Sequence, residues 1–111
     1  MYNFQTIGDM KQKGINVIGP TLKFMRYIAY IKQSEKEISD AFATGDPDYA
    51  MSEITRIERE RHEYHDTAIE AVKALNQMAV DHGFEKPYNK PDYRRDYITD
   101  FCVQYLEREA R

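Results

Sequence analysis

The chain has 111 residues, 41% of them hydrophobic and 32% charged, with a formal net charge of −3 at pH 7. That length suits one compact domain with one core; the balance is too apolar for intrinsic disorder and too interrupted by charge for a membrane span of about 20 apolar residues. A strongly basic nucleic-acid domain is disfavoured, and the single cysteine, Cys102, excludes an intramolecular disulfide or a cysteine-clustered zinc site and reads as a small buried hydrophobe.

Residues 1–10 show no basic start followed by an apolar run, so no secretory signal is expected and the cytoplasm is the default location. Phe4, Ile7 and Met10 predict a short helix ending near Gly14, with Ile15 to Ile18 extended behind it. Gly19 and Pro20 open a first long helix that closes near Thr44 and Gly45. Its Phe24, Ile28, Ile31, Ile38 and Phe42 recur at spacings of three, four and seven and form one stripe. Asp46 followed by Pro47 is a cap and first-turn signal, and no glycine or proline follows until Gly83. The central helix it predicts would extend about 50 Å at 1.5 Å per residue, so it must kink or project. Its apolar stripe runs through Ala50, Ile54, Ile57, Tyr64, Ala68, Val72, Leu75 and Ala79. Gly83 to Pro91 is a loop by composition, and Pro91 with Asp92 starts a last helix whose Tyr97, Ile98, Phe101, Cys102 and Tyr105 share a face.

These elements predict an all-α fold over residues 1–111: a single helical domain built as an antiparallel three-helix bundle in up-down-up order. One long central helix organises it, with an N-terminal arm or short helix packed across. The spare length of the central helix favours a homodimer through it. Charge is uneven. Residues 1–33 carry Lys11, Lys13, Lys23, Arg26 and Lys32 against Asp9 alone, while the remainder carries 11 basic and 18 acidic groups. Such asymmetry lets the basic end meet the acidic body of another copy or an acidic partner.

The densest polar cluster lies midway along the central helix, from Glu58 to Asp66. At 100° per residue Arg61 falls inside the apolar stripe and His65 on its border. A guanidinium held against apolar neighbours must be paired or reach water. Glu35 is the matching oddity, placed in the first long helix's stripe between Ile31 and Ile38, but a tight turn at Gly45 leaves it ~9 Å out of axial register with Arg61. Pairing across a dimer is therefore an open alternative.

His62 and His65 are three apart, with Glu58 four before His62 and Asp66 four after it, so Glu58, His62, His65 and Asp66 are weak candidates for a metal site. Neither other long helix contains a histidine, and no cofactor or catalytic residue is expected. His65 and Asp66 also spell the dyad of histidine-aspartate phosphohydrolases, without that family's spaced partners. Glu37-x-x-Asp40 and Glu60-x-x-Glu63 resemble the paired acidic helices of all-helical nucleoside triphosphate pyrophosphohydrolases, in reversed order. The stretch Lys86 to Tyr97 interleaves aromatic and basic residues as base-stacking surfaces do, but reads first as a loop anchored by tyrosines.

From Arg61 to Phe101 the chain resembles certain small, uncharacterised all-helical bacterial and phage-borne proteins. The resembling pieces are Arg61-x-x-x-His65, Ile69, Leu75-Asn76, Gly83 with its Pro and Tyr loop, and Tyr97-Ile98-x-Asp100-Phe101. That resemblance implies a helical fold and a bacterial or mobile-element source, with no assigned activity. It also implies that Arg61, His65, Asn76 and Asp100 form a polar network, to which Glu35 is added by its place in the stripe. The expected function is a self-associating interaction or regulatory module. The alternatives are a metal-dependent phosphate or nucleotide hydrolase using helix-borne carboxylates, and a nucleic-acid-associated adaptor.

Overall fold

A computed structural model describes residues 2–110, leaving Met1 and Arg111 outside. It contains α1 (Gln5–Gln12), α2 (Ile18–Ala43), α3 (Pro47–Asp81) and α4 (Arg95–Glu109), and no strand among the described residues. None of these helices is long and apolar enough to cross a membrane.

The break between α2 and α3 follows from local chemistry. Gly45 takes a positive φ of 74°, which a residue with a Cβ rarely adopts. Asp46 then caps α3, its carboxylate accepting from the Asp48 and Tyr49 amides at 3.0 and 3.3 Å, with Pro47 in the first turn. The expected rod is a single helix of 35 residues, about 52 Å at the standard rise, and it sets the 55 Å long axis of the molecule.

α2 lies antiparallel on α3: Tyr27 meets His65, Tyr30 meets Glu60, and Glu37 meets Arg56. α4 departs from the expected order. Its first residue, Arg95, sits beside Glu58, and farther along Thr99 meets Tyr27 while Phe101 and Tyr105 stand edge-on to Phe24. α4 therefore runs in the same direction as α3 and against α2. The up-down-up expectation assumed a short connection. Residues 82–94 are long enough to run back along α3, since at about 3.3 Å per residue they span some 43 Å against the roughly 35 Å required.

Named contacts hold that return. Asn76 donates from Nδ2 to the Tyr88 carbonyl at 2.9 Å and accepts from the Tyr88 amide at 3.0 Å. The Tyr88 hydroxyl donates to the Asp92 carbonyl at 2.5 Å, and Lys73 lies over the Tyr93 ring. The last helix consequently begins at Arg95 rather than at Pro91 and Asp92; Asp92 instead accepts from the Arg94 amide. The N-terminal segment closes over this loop. Asn3 donates its amide to the Pro87 carbonyl at 2.8 Å, Tyr2 stacks on Tyr88, and Phe4 packs on Phe101. Ile7 and Met10 of α1 are buried, as is Cys102.

One core results, made largely of aromatic and aliphatic side chains: Phe24, Tyr27, Leu75, Tyr88, Phe101 and Tyr105 are among its members. It takes the first half of α2 and the second half of α3. The other halves form a two-helix hairpin that extends past the start of α4. Between them this end buries Ser34, Ala41, Ala50 and Ile57, none of which joins the main core. Two members of the expected stripes are exposed: Phe42 at 61% and Tyr64 at 39%.

Candidate functional site

Helical spacing decides which side of the hairpin is which. In α2, Ile31, Glu35, Ile38 and Phe42 recur at four, three and four, continuing the row that faces α4. In α3, Pro47, Met51, Ile54, Glu58, Arg61 and His65 recur at four and three and face the same way. A third helix belongs between these rows, and α4 fills the place only as far as Arg95. Beyond it the groove is open: Phe42 and Met51 are 61% and 62% exposed, while Ile38 and Ile54 are half-buried. At the tip Phe42, Pro47, Ala50 and Met51 enclose an apolar notch of about 270 Å³.

The opposite side is closed by polar contacts. Arg56 binds Glu37 at 3.0 Å, Glu53 at 2.8 Å and Glu60 at 3.0 Å. The Tyr30 hydroxyl donates to Glu60 at 2.8 Å, and the Tyr30 and Tyr64 rings stack at 4.3 Å. The hydrogen bond from Tyr30, followed by that from Arg56, holds the Glu60 carboxyl below its ordinary range. Burial, then the bond to Glu60, raises the Tyr30 hydroxyl. This arrangement engages one carboxylate from each pair that resembled those of a pyrophosphohydrolase: Glu37 and Glu60 both face Arg56.

Where the groove meets α4 lies a cleft of about 460 Å³ with walls from three helices. Ile31 and Val103 give it apolar sides; Arg61, Arg95 and Thr99 line one part, and Glu35, Asp96 and Asp100 another. Behind it the Tyr27 hydroxyl lies 2.9 Å from Thr99 Oγ1 and 3.4 Å from His65 Nδ1, a buried polar link joining α2, α3 and α4. Burial drives the His65 imidazole below its ordinary value, so it is neutral at pH 7.

Arg61 is the least satisfied group in the region. Its side chain is only 18% exposed, its buried Nε has no hydrogen-bond partner, and its ion-pair neighbour is Glu58 at 3.9 Å. Arg95 approaches that same carboxylate at 3.9 Å. Two guanidiniums thus share one acid beyond hydrogen-bond distance.

Of the residues singled out in the sequence, Glu35, Arg61 and Asp100 do meet in one cleft, but as separate lining groups: Arg61 pairs with Glu58 rather than Glu35. His65 lies just behind, linked to Tyr27. Asn76 belongs to a different structure, the tie to the loop at Tyr88. Glu58, His62 and His65 line one small pocket together with Arg61 and Arg95, without Asp66, and no group of three or more His, Cys, Asp or Glu side chains is placed to hold a metal among the described residues. The aromatic and basic segment is an anchored loop, with Tyr88 buried and Lys90 lying over Tyr2 and Tyr97. Sequence reasoning missed Tyr27 and Thr99, and placed Arg95 only within the aromatic and basic stretch. Tyr27, three residues after Phe24, shares the inward side of α2 and carries the one detectable signal. The comparisons add nothing to this geometry: no protein-family model, curated protein or solved structure matches the chain.

Proposed function

We propose that the protein is a self-associating interaction module in which the open groove of one copy receives the start of α2 from another. The observation that carries this is a complementarity between two exposed surfaces of the same chain. Residues 33–60, which form the hairpin end, hold eight acidic and three basic groups; with Glu37, Glu53, Glu60 and Arg56 engaged on the closed side, five acids and two bases remain. Ile18, Leu22 and Met25 are 62%, 43% and 51% exposed at helical spacing, and residues 18–32 contain Lys23, Arg26 and Lys32 with no acid at all. An apolar groove with an acidic surround fits an apolar ridge with a basic surround, and mutual charge both favours and orients the contact. Two grooves set face to face would bring like charges together instead. The contact is built from α2 and α3 together, which refines the expectation of a homodimer through the long central helix.

The contact has two unlike faces, so it can be tested by complementation. Phe42→Asp spoils the groove and spares the ridge; Met25→Asp does the reverse. Both positions are exposed, so both variants fold. Wild type should sediment above the monomer mass. Each variant alone weakens association by at least about 2 kcal/mol, roughly 30-fold, and an equimolar mixture recovers a heterodimer. A wild-type monomer at high concentration, undiminished association of either variant, or failure of the mixture to recover contradicts the proposal.

A further inference from the structure

The mixed-charge cleft at the start of α4 points to a ligand site. Its two guanidiniums and three carboxylates do not neutralise one another: Arg61 and Arg95 both lean on Glu58, which lies outside the cleft lining, and Arg61 Nε is buried without an acceptor. A buried donor left unpaired is costly, and a fork of guanidinium N–H groups matches a carboxylate in two-pronged fashion. A simple anion would meet repulsion from Glu35, Asp96 and Asp100, and a simple cation would meet repulsion from the arginines. A molecule carrying one charge of each sign satisfies both sets. The cleft volume of about 460 Å³ lies within the usual range of small-molecule sites, and the walls Ile31 and Val103 are aliphatic.

We propose that this cleft binds a small zwitterionic α-amino acid with an aliphatic side chain. Its carboxylate sits on Arg61 and Arg95, its ammonium among Glu35, Asp96 and Asp100, and its side chain between Ile31 and Val103. This does not depend on self-association, and the Phe42→Asp variant retains the site.

Titration of the isotopically labelled full chain, followed through its backbone amide signals, tests the assignment with three probes. L-Leucine carries both charges, isocaproate lacks the amine, and isoamylamine lacks the carboxylate. The expected result is saturable shifts for leucine at residues 95–103 and around Ile31, with each one-charge probe weaker by roughly tenfold or more. Arg95→Gln and Glu35→Gln alter exposed side chains and should each lower leucine affinity about tenfold while leaving the untitrated spectrum in place. Absence of shifts with leucine, equal binding of isocaproate or isoamylamine, or shifts mapping elsewhere overturns the proposal.

Discussion

The two ends of the molecule are held together by different physics. The body interlocks α1, the returning loop, α4 and half of each long helix around aromatic rings, with Phe101 in contact with Tyr2, Phe4, Phe24 and Tyr88. The hairpin end has small residues between its helices, Ser34, Ala41 and Ala50 with Ile57, and relies on Arg56, the tyrosine stack and the Asp46 cap. Apolar burial scales with area, whereas exposed ion pairs contribute little. The lesson is that stability resides in the body, while the apolar surface free to engage a partner resides on the hairpin and on the outer ridge of α2. The groove thus lies in the less tightly packed part of the molecule, as binding loops and lids commonly do, while the ridge lies on the body's half of α2.

The largest effect that sharpens this contrast is expected at Phe101. Phe101→Ala should cost about 3–5 kcal/mol in denaturant unfolding, because its cavity opens where four aromatic neighbours converge. A loss below about 1 kcal/mol would mean that the body does not hold the fold.

An intermediate effect is expected at His65, at the junction. Its imidazole is neutral in the fold because burial lowers its pKa below the ordinary 6.5, so the unfolded chain takes up a proton first as the pH falls. The stability it contributes is whole above pH 6.5 and is lost as the pH drops through the lowered folded value. Unfolding free energy should therefore decline between pH 7.5 and 5.5, and His65→Gln should flatten that decline; an equal slope in the variant would refute the assignment.

The smallest effect is expected at Arg56. Although it touches three carboxylates, its side chain is 41% exposed, and Arg56→Met should cost only a small fraction of what Phe101→Ala costs, and less still at high salt. A cost matching that of Phe101→Ala would erase the distinction between the two ends.

How much of this was legible in the sequence follows the range of each interaction. Gly45, Asp46 and Pro47 act within one turn, so the break between α2 and α3 and the length of α3 could be read directly. Arg61 also stood out locally, as a charge in an apolar row, and it does sit at the edge of the groove. The direction of α4 could not be read, because it depends on Asn76 gripping the Tyr88 backbone across the loop, a contact with no periodic signature. Phe42 shows the same limit. Its spacing places it on the inward row, but spacing does not say whether a neighbour extends far enough to cover it, and α4 does not. The link between Tyr27, His65 and Thr99 draws one residue from each of three helices and needed the fold to be seen.

Amide hydrogen exchange as a function of protein concentration addresses the central claim most directly, since it reads both proposed faces in one experiment. In dilute solution, residues 33–60 should exchange faster than the body; on concentration, protection should rise together along the Phe42 and Met51 side of the hairpin and along residues 18–29, leaving the Tyr30 and Tyr64 side unchanged. Exchange that ignores concentration, or protection that gathers on the Tyr30 and Tyr64 side, would contradict the account.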